Sequence, residues 1–205
     1  MTARDGAERD TIRDHLLRSA EVKRLAVEAC AGDIARGAAL LAACLGDGGK
    51  ILLCGNGGSA ADCQHLAGEF VSCLTQDFTR PGLAAIALTT DTSMLTAYAN
   101  DFGFEGIFAR QVQALGRPGD ALIAISTSGG SRNVVAAAAG ARAAGLRVVA
   151  LTGTGGALTE LADVAIRVPS DHTQHIQEAH LAIEHLLCHL VERRLHGEGA
   201  NGIGS

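Results

Sequence analysis

The apolar residues follow two patterns, a loosely helical one before residue 46 and a series of short runs after residue 50. In the first part they recur at helical spacing between about Thr11 and Leu45, with an interruption near Gly32. This spacing predicts two helices, separated at the glycine, within residues 1–48. The residues that carry the spacing are Leu16, Leu17, Leu25, Val27, Ile34, Leu40, Leu41 and Leu45. Two helices ahead of the first strand need a surface to bury against, and a neighbouring subunit is the candidate.

The second part alternates short apolar runs with helical stretches. The runs are too short for helices and are predicted to be strands: Ile51–Cys54, Leu83–Leu88, Ala121–Ile125, Val148–Leu151 and Val164–Val168. The helical stretches lie near Thr92–Ala99, Phe104–Leu115, Asn133–Ala144, Gly156–Leu161 and Thr173–Leu195. This alternation predicts an α/β fold, a three-layer α-β-α sandwich around a five-stranded parallel sheet. We expect one domain over residues 1–205, with an α/β core and last helix in 49–195 and a disordered glycine-rich tail in 196–205.

The first strand leads into a glycine-rich loop, Gly-Asn-Gly-Gly at residues 55–58. Glycine permits positive φ and lets backbone N–H groups approach a ligand closely. Ser59 is expected to cap the helix that follows, with Asp62 completing a capping box. The N-terminus of that helix would face the loop, which favours an anion such as a sugar phosphate. The candidate binding residues here are Asn56, Gly57, Gly58 and Ser59.

Two polar residues of the same helix, His65 and Glu69, are four positions apart and so share one face. In an arbitrary helix such a pair is most often a surface hydrogen bond. Here it lies directly behind a predicted anion-binding loop. A carboxylate beside a bound sugar phosphate is what proton abstraction next to a carbonyl requires, so the position favours Glu69 as a general base.

A second candidate loop, residues 125–131 (Ile-Ser-Thr-Ser-Gly-Gly-Ser), follows the third strand. Hydroxyl groups and N–H groups at the start of a helix can hold a phosphate without a lysine. The alternative is an ordinary turn in which Ser131 caps the next helix. Two such loops on one parallel sheet point to a single crevice at the carboxyl ends of the strands.

A dinucleotide site is the competing interpretation of the first loop, because Gly55, Gly57 and Ala60 satisfy a loose G-x-G-x-x-A pattern. That pattern requires an acidic residue roughly 20 positions further on, at the end of the second strand. The next strand ends at Asp91, more than thirty residues after the loop. We therefore expect no nucleotide cofactor.

Composition narrows the class of protein further. A net charge of −5, one Tyr, five Phe and no Trp offer neither a basic patch nor a stacking surface for nucleic acid. The polar N-terminus does not read as a signal peptide, and no apolar run was found that approaches the ~20 residues of a membrane span. The six cysteines contain no C-x-x-C pair, and most have apolar neighbours. They are interpreted as reduced core residues of a cytoplasmic protein.

Four segments in order resemble the sugar isomerase (SIS) domain family and, within it, the phosphoheptose isomerases. They are CGNGGSAADCQHLAGEF (54–70), ANDFGFEGIFARQV (99–112), ISTSGGSRNV (125–134) and HIQEAHLAIEHLLCHLVE (175–192). The resemblance covers nearly all of residues 49–192 and implies a flavodoxin-like, doubly wound sheet. It also implies the conversion of sedoheptulose 7-phosphate to an aldoheptose phosphate, the first step towards nucleotide-activated heptose, in a homotetramer with active sites at subunit boundaries.

The resemblance also implies roles for individual residues. Besides the first loop, the matched substrate-binding positions are Asn100, Asp101, Ser126, Thr127, Ser128, Ser131 and Gln177. The positions that bind a zinc ion in described members are His65, Glu69, Gln177 and His185. Glu69 and His185 are also the implied acid–base pair. Gln177 and His185 are eight residues apart, about 12 Å along a helix, so one ion can meet both only if their side chains converge. The other histidines of the last helix, His175, His180, His189 and His196, match no family role and are expected to pack or to be solvated.

One position departs from the family pattern. The phosphate loop reads Ser128-Gly129-Gly130-Ser131 where S-G-N-S is usual, so the side chain of an asparagine is missing from the sugar site. Two alternatives to the heptose isomerase stay open. One is an isomerase of another phosphosugar. The other is a non-catalytic relative of the type that partners the bacterial replication initiator, in which the catalytic positions are replaced; this chain retains Glu69 and His185.

Overall fold

The computed structural model of the chain describes residues 3–197, in which helices and strands alternate after a long first helix. The strands are β1 Ile51–Cys54, β2 Ala85–Ala87, β3 Ala121–Ser126, β4 Arg147–Thr152 and β5 Val164–Arg167. The helices are α1 Ala3–Gly46, α2 Gly58–Val71, α3 Thr92–Phe102, α4 Ile107–Leu115, α5 Arg132–Ala143, α6 Leu158–Leu161 and α7 Thr173–His196, with a 3-10 turn at Phe104–Gly106. Of the predicted tail, His196 belongs to α7, and the part after Gly197 lies outside the described residues.

The five strands form one parallel sheet in the order β2-β1-β3-β4-β5. This is the flavodoxin-like order, and the sandwich predicted from the sequence is confirmed. In the sheet, β2 lies on one side of β1 and β3 on the other. The loops that follow the neighbouring strands β1 and β3 therefore lie side by side at the carboxyl ends of the strands. The position of the candidate site follows from this topology.

Alternate side chains of the strands enter two separate cores, one on each face of the sheet. Ile51 and Leu53 pack with α1, α2 and α7, whereas Leu52 and Cys54 pack with α4 and α5. Every residue of β1 is fully buried. Strands covered on both faces read as continuous apolar runs, which is why these segments could be recognised in the sequence.

The prediction of two N-terminal helices is wrong, because α1 continues without a break for 44 residues. Gly32 lies inside the helix, where its flexibility costs roughly 1 kcal/mol relative to alanine. The residues on either side offset that cost by packing on the sheet: Cys30 and Ile34 are buried, and the Cys30 thiol contacts the carbonyl oxygen of Arg167 at 3.2 Å. Tertiary packing therefore overrides the local glycine signal.

Only part of the apolar face predicted for α1 is buried in this chain: Ile34 and Leu41 are buried, and Leu40 and Leu45 pack against the core. The buried residues of α1 recur every three or four positions and are mostly small: Ser19, Val22, Ala26, Cys30, Ile34, Ala38, Leu41, Ala42 and Cys44. Leu16, Leu17 and Val27 are instead 61–62% exposed. By length and composition, α1 is also apolar enough to cross a bilayer, contrary to the sequence expectation, although one such helix is weak evidence for a membrane span. Much of the apolar surface of α1 is thus left uncovered by this chain.

The cysteines are all free, and five of the six are buried. Cys73 is half-buried. Their interpretation as small core residues is confirmed for those five.

Candidate active site

The helix behind the first glycine loop begins earlier than predicted. Gly57, with φ of 57°, is the N-cap of α2, and no side chain caps the helix. Ser59 lies inside the first turn, so the predicted capping box of Ser59 and Asp62 is wrong. Because glycine adopts positive φ without strain, Gly57 lets the chain turn from β1 directly into α2.

Asp62 contacts the last helix instead of capping its own. Its carboxylate oxygen Oδ2 accepts a hydrogen bond of 3.1 Å from Nε2 of Gln177. The same amide group lies against Gly58, where a Cβ atom would overlap it. Burial raises the pKa of Asp62, against the opposing effects of Gln177 and His65. Gln177 therefore joins α7 to the first loop, and its proposed role as a metal ligand stays a prediction.

One turn further along α2, three residues of the predicted site meet. Oε1 of Glu69 is 2.7 Å from Nδ1 of His185 and 3.0 Å from Nε2 of His65. The two imidazole rings are arranged edge to face, 5.2 Å apart. Both histidines are about half exposed, whereas the Glu69 side chain is 11% exposed. The pair predicted from helical spacing thus gains its third member from α7, within a single chain.

A buried arginine fixes the end of α2 that carries Glu69. Arg80 donates from its guanidinium group to the main-chain oxygens of Glu69 and Phe70, each at 2.7 Å. It also forms an ion pair with Glu192 of α7, and both side chains are at most 2% exposed. These bonds satisfy carbonyl groups that the end of a helix leaves free. Arg80 was not predicted, because its partners are distant in the sequence and no local pattern indicates them.

The second loop brings its hydroxyl groups together before α5 begins. Oγ of Ser126 is 2.9 Å from Oγ of Ser131 and 3.4 Å from Oγ of Ser128. The backbone N–H of Gly130 donates to Oγ of Ser128 at 3.2 Å. Ser131 is the N-cap of α5 by position, but its side chain makes no capping bond. The three hydroxyls therefore lie together at the N-terminus of α5, an arrangement that suits an anion.

An asparagine that the sequence analysis did not single out joins the two loops. Asn133 and Asn56 exchange two hydrogen bonds, each 2.8 Å long, between their side-chain amides. Asn133 is buried, and its Oδ1 also accepts from the N–H of Val134. The pair holds Asn56, a predicted substrate residue, against the start of α5. The pairing of β1 with β3 brings the segments after these strands together, so no local pattern predicts the pair.

The predicted Asn100–Asp101 pair lies in the last turn of α3. Nδ2 of Asn100 donates to Oδ1 of Asp101 at 2.8 Å, and both residues are exposed. Within the described part of the chain, no hydrogen bond joins their side chains to either loop. The structure therefore assembles most of the predicted site but leaves this pair apart from it.

Two further ionisable residues lie on the buried side of α7. Glu184 is fully buried, and burial, with the carboxylates of Asp62 and Glu69, raises its pKa to about 8. His180 is also fully buried beside the carbonyl oxygen of Thr152, and burial lowers its pKa to about 4. His180 thus packs and His189 is exposed, as predicted for the histidines without a family role.

The cluster of His65, Glu69 and His185 fits a zinc ion. Its donor atoms all lie within 4.8 Å of one another. Oε2 of Glu69 is buried without a hydrogen-bond partner, so it is available to a metal. Two imidazoles and one carboxylate are a donor set that catalytic zinc sites use, with a further position open to substrate or water.

The parallel sheet, its two anion-binding loops and the carboxylate–imidazole group behind them define an α/β protein of the sugar isomerase class. Comparison with known proteins agrees: the SIS domain profile matches residues 17–153. A phosphoheptose isomerase of Thiobacillus denitrificans is 54% identical over 192 residues, which cover 92% of this chain and 96% of that protein.

Solved structures give the same result. A phosphoheptose isomerase from Francisella tularensis superposes with a TM-score of 0.87 at 40% identity, covering 94% of this chain and 100% of that one. The enzyme from Neisseria gonorrhoeae gives a TM-score of 0.84 at 43% identity, covering 89% of this chain and 97% of that one. The chain therefore belongs to the SIS domain family and, within it, to the phosphoheptose isomerases.

Proposed function

We propose that this chain interconverts sedoheptulose 7-phosphate and D-glycero-D-manno-heptose 7-phosphate, the first step of nucleotide-activated heptose biosynthesis. The observation that carries the proposal is the 2.7 Å contact between Glu69 and His185, directly behind the first glycine loop. A non-catalytic relative has no need of this pair. The family relatives, which are named phosphoheptose isomerases, support the choice of a heptose phosphate over other phosphosugars.

The reaction moves a proton from C1 of the ketose to C2 of the aldose through an enediol. Glu69 removes a proton from C1, exchanges it with solvent, and protonates C2. His185 donates a proton to the C2 oxygen and takes one from the C1 hydroxyl. The bond from Nδ1 of His185 to Glu69 fixes the ring and leaves Nε2 for the substrate oxygen. Positioned acid–base groups of this kind contribute roughly 10²–10⁴-fold each, so the remainder comes from orientation and electrostatic preorganisation.

In this proposal the phosphate group binds to the second loop, together with Thr127. The support is that the hydroxyls of Ser126, Ser128 and Ser131 lie close together at the start of α5. The first loop, Asn56 to Ser59, holds the sugar between the phosphate and Glu69. The Asn56–Asn133 amide pair supports this placement, since it holds the two loops at a fixed separation. Gly130 stands where the family pattern has an asparagine, so the phosphate loop lacks one side chain that could contact the sugar.

A zinc ion would be held by His65, Glu69 and His185, with Gln177 as a fourth ligand if its amide leaves Asp62. Such an ion would stabilise negative charge on the sugar oxygens during enediol formation. Dialysis of the purified protein against a chelator, followed by measurement of zinc content and turnover together, tests this. We expect both to fall, and turnover to recover when zinc is added back. Full turnover at negligible zinc content would contradict a catalytic ion.

The proposed reaction is tested by incubating the purified chain with sedoheptulose 7-phosphate and following the aldose phosphate. Ribulose 5-phosphate and fructose 6-phosphate are the controls, because they carry the same ketose and phosphate on a shorter chain. We expect turnover of the heptulose at least about tenfold above either control. Preference for a shorter ketose would indicate an isomerase of another phosphosugar, and turnover of none would favour the binding module.

The working unit in this proposal is a cytoplasmic homotetramer with active sites at subunit boundaries. The free cysteines suit a reducing compartment. The uncovered leucines of α1, an apolar groove of about 400 Å³ between α1 and α7, and the exposed side chains of Phe102 and Phe104 supply surface for neighbouring subunits. A neighbour would also bring Asn100 and Asp101 to a site from which they are separated within one chain.

Light scattering of the purified protein measures the mass, and a monomer at micromolar concentration would contradict the tetramer. Shared sites are tested by mixing two inactive variants, Glu69→Gln and Asp101→Ala, after gentle dissociation. If the two residues reach one site from different chains, some mixed sites contain both and part of the activity returns. No recovery in a mixed oligomer would place both residues on the same chain. Glu69→Gln mixed with His185→Ala is the matched control, since these residues already meet within one chain.

A further inference from the structure

A second group of imidazole and carboxylate side chains lies where α1 crosses the beginning of α7. It consists of His15 of α1, His172 just before α7, and His175 and Glu178 in its first turns. We refer to these four residues as the α1–α7 histidine cluster. None of them has a role in the proposed reaction.

The side chains of the cluster are in direct contact. Nε2 of His15 is 2.9 Å from Oε1 of Glu178. The ring of His175 stacks on that of His172, with centroids 4.2 Å apart, and its centroid lies 4.8 Å from that of His15. Four metal-binding groups from two helices therefore occupy one junction.

One nitrogen atom of the cluster is buried and makes no hydrogen bond. His175 is 4% exposed, and its Nε2 atom is buried without a hydrogen-bond partner. A buried polar nitrogen with no partner costs free energy, on the order of 1–3 kcal/mol. A ligand at this junction would recover that cost. An interior selected only for packing would favour an apolar side chain at this position.

The spacing of the residues suits chelation of one ion. His172 and His175 are three positions apart, as are His175 and Glu178, so consecutive donors lie on one face of the first turns of α7. Ser19 and His15 of α1 lower the pKa of Glu178, which favours the carboxylate form that binds metal. Imidazole nitrogens with a carboxylate are a typical donor set for zinc, nickel and copper ions.

The cluster is separate from the one that contains Glu69. His175 and His185 are ten residues apart on α7, which corresponds to about 15 Å along the helix. The cluster is also more open than that of His65, Glu69 and His185, so the exposed ring of His172 has to rotate for all donors to meet one ion. This rotation is available because His172 lies ahead of the helix, in extended backbone.

We propose that His15, His172, His175 and Glu178 bind a divalent transition-metal ion of the zinc class, at a site distinct from the active site. The ion clamps the first third of α1 to the start of α7. Apart from this cluster, the residues of α1 before Ser19 are mostly exposed, so the clamp orders a segment that the fold itself holds weakly. It also fixes the turn of α7 that carries Gln177.

The experiment measures zinc binding in a background that lacks the active-site histidines, His65→Ala with His185→Ala. The full-length protein is dialysed to equilibrium against micromolar zinc chloride, and bound metal is determined by mass spectrometry. We expect this background to retain about one zinc per subunit. Adding His172→Gln or His175→Gln is expected to lower the bound zinc at least tenfold, while the exposed His189→Gln serves as the matched control and retains it.

The readout does not depend on activity, and His172 is exposed, so its substitution is compatible with folding. Circular dichroism and the thermal midpoint establish that each variant is folded. A background that binds no zinc in this range would overturn the proposal. Equal loss of zinc from the His172, His175 and His189 variants would overturn it as well, because it would indicate weak binding to surface histidines in general. Hydrogen exchange across residues 4–18 is expected to slow on addition of zinc in the background variant and to remain unchanged in its His172→Gln form.

Discussion

The two strand–helix loops of the site have the same architecture but differ in what lies behind them. Behind the first loop, α2 carries His65 and Glu69 towards α7. Behind the second, α5 has the sequence RNVVAAAAGARA, in which Asn133 is the one buried polar residue. Both loops thus offer main-chain groups to a ligand, whereas only the first is followed by a helix with reactive side chains. In this account the second loop binds the phosphate and the first performs the proton transfer.

Both loops depend on glycine, for different contacts. At Gly58 a Cβ atom would overlap the amide of Gln177, which belongs to α7. At Gly129, where φ is 63°, it would overlap the main chain at Gly155. The first loop is therefore fitted against a side chain of the reactive helix pair, and the second against another loop. The glycine contacts thus follow the same division: the first loop lies beside the reactive helices, and the second loop does not.

The largest expected effect is on turnover, from a change behind the first loop. Glu69→Gln removes the base but preserves the size of the side chain, so we expect kcat to fall about 100-fold or more. KM should change much less, because the phosphate contacts remain. Steady-state kinetics measure both constants, with the exposed Glu160→Gln of α6 as the control. If Glu69→Gln retained more than about a tenth of kcat, another residue would have to be the base.

Changes in the second loop are expected to act on KM instead. Ser128→Ala combined with Ser131→Ala removes two hydroxyls that face the anion, each worth roughly 1.5–3 kcal/mol when bonded to a charged group. We expect KM for the phosphosugar to rise by about tenfold or more for each hydroxyl. The exposed Ser93→Ala in α3 is the control. An unchanged KM would place the phosphate elsewhere.

A smaller effect is expected from the bridge between the loops. Asn133→Ala removes two hydrogen bonds to Asn56 and one from the N–H of Val134, and it leaves Asn56 unpaired. The loss should cost about 1–3 kcal/mol of unfolding free energy. Because the two amides bond each other, Asn56→Ala should cost little more once Asn133 is already alanine. Denaturant unfolding of the two single variants and the double variant measures this coupling. Additive losses would mean that the pair does not act as a unit.

The smallest effect on catalysis is expected at His180, which lies on the same helix as His185 but is buried. Burial lowers the pKa of His180 to about 4 from a usual value near 6.5. The unfolded state therefore binds a proton that the folded state does not, between these two pH values. The stability contributed by the neutral ring is complete above pH ~6.5 and is lost as the pH falls towards 4, by at most about 1.4 kcal/mol per pH unit.

His180→Asn should remove this part of the pH dependence of unfolding while leaving KM at pH 7.5 unchanged. Denaturant unfolding between pH 4 and pH 7 provides the measurement, and the exposed His189→Asn is the control. The same slope in wild type and His180→Asn would mean that His180 is not kept neutral by burial.

Much of this fold was predictable, because its signals are local. Fully buried parallel strands such as β1 and β3 read as apolar runs, and glycine and serine mark the loops that follow them. The pairing of His65 with Glu69 follows from helical spacing alone. The position of His185 required the family resemblance, since spacing does not distinguish it from the other histidines of α7.

The errors and omissions share a cause, which is that contacts between distant segments decide them. Packing of Cys30 and Ile34 on the sheet keeps α1 continuous through Gly32. Asp62 was predicted to cap its own helix but bonds Gln177, 115 residues further along the chain. The Asn56–Asn133 bridge and the bonds of Arg80 to α2 and α7 are equally non-local. Such partners become visible only once the helices are placed beside one another.

The division between the two loops is tested most directly by running the reaction in deuterium oxide. Wild type and Glu69→Gln are incubated with sedoheptulose 7-phosphate, and the aldose phosphate is examined by NMR for deuterium at C2. Proton transfer by Glu69 through an enediol predicts deuterium at C2 in the wild-type product, and at least about 100-fold slower product formation by Glu69→Gln. Aldose formed at the wild-type rate by Glu69→Gln, or an aldose without deuterium at C2 as in a hydride shift, would contradict the account.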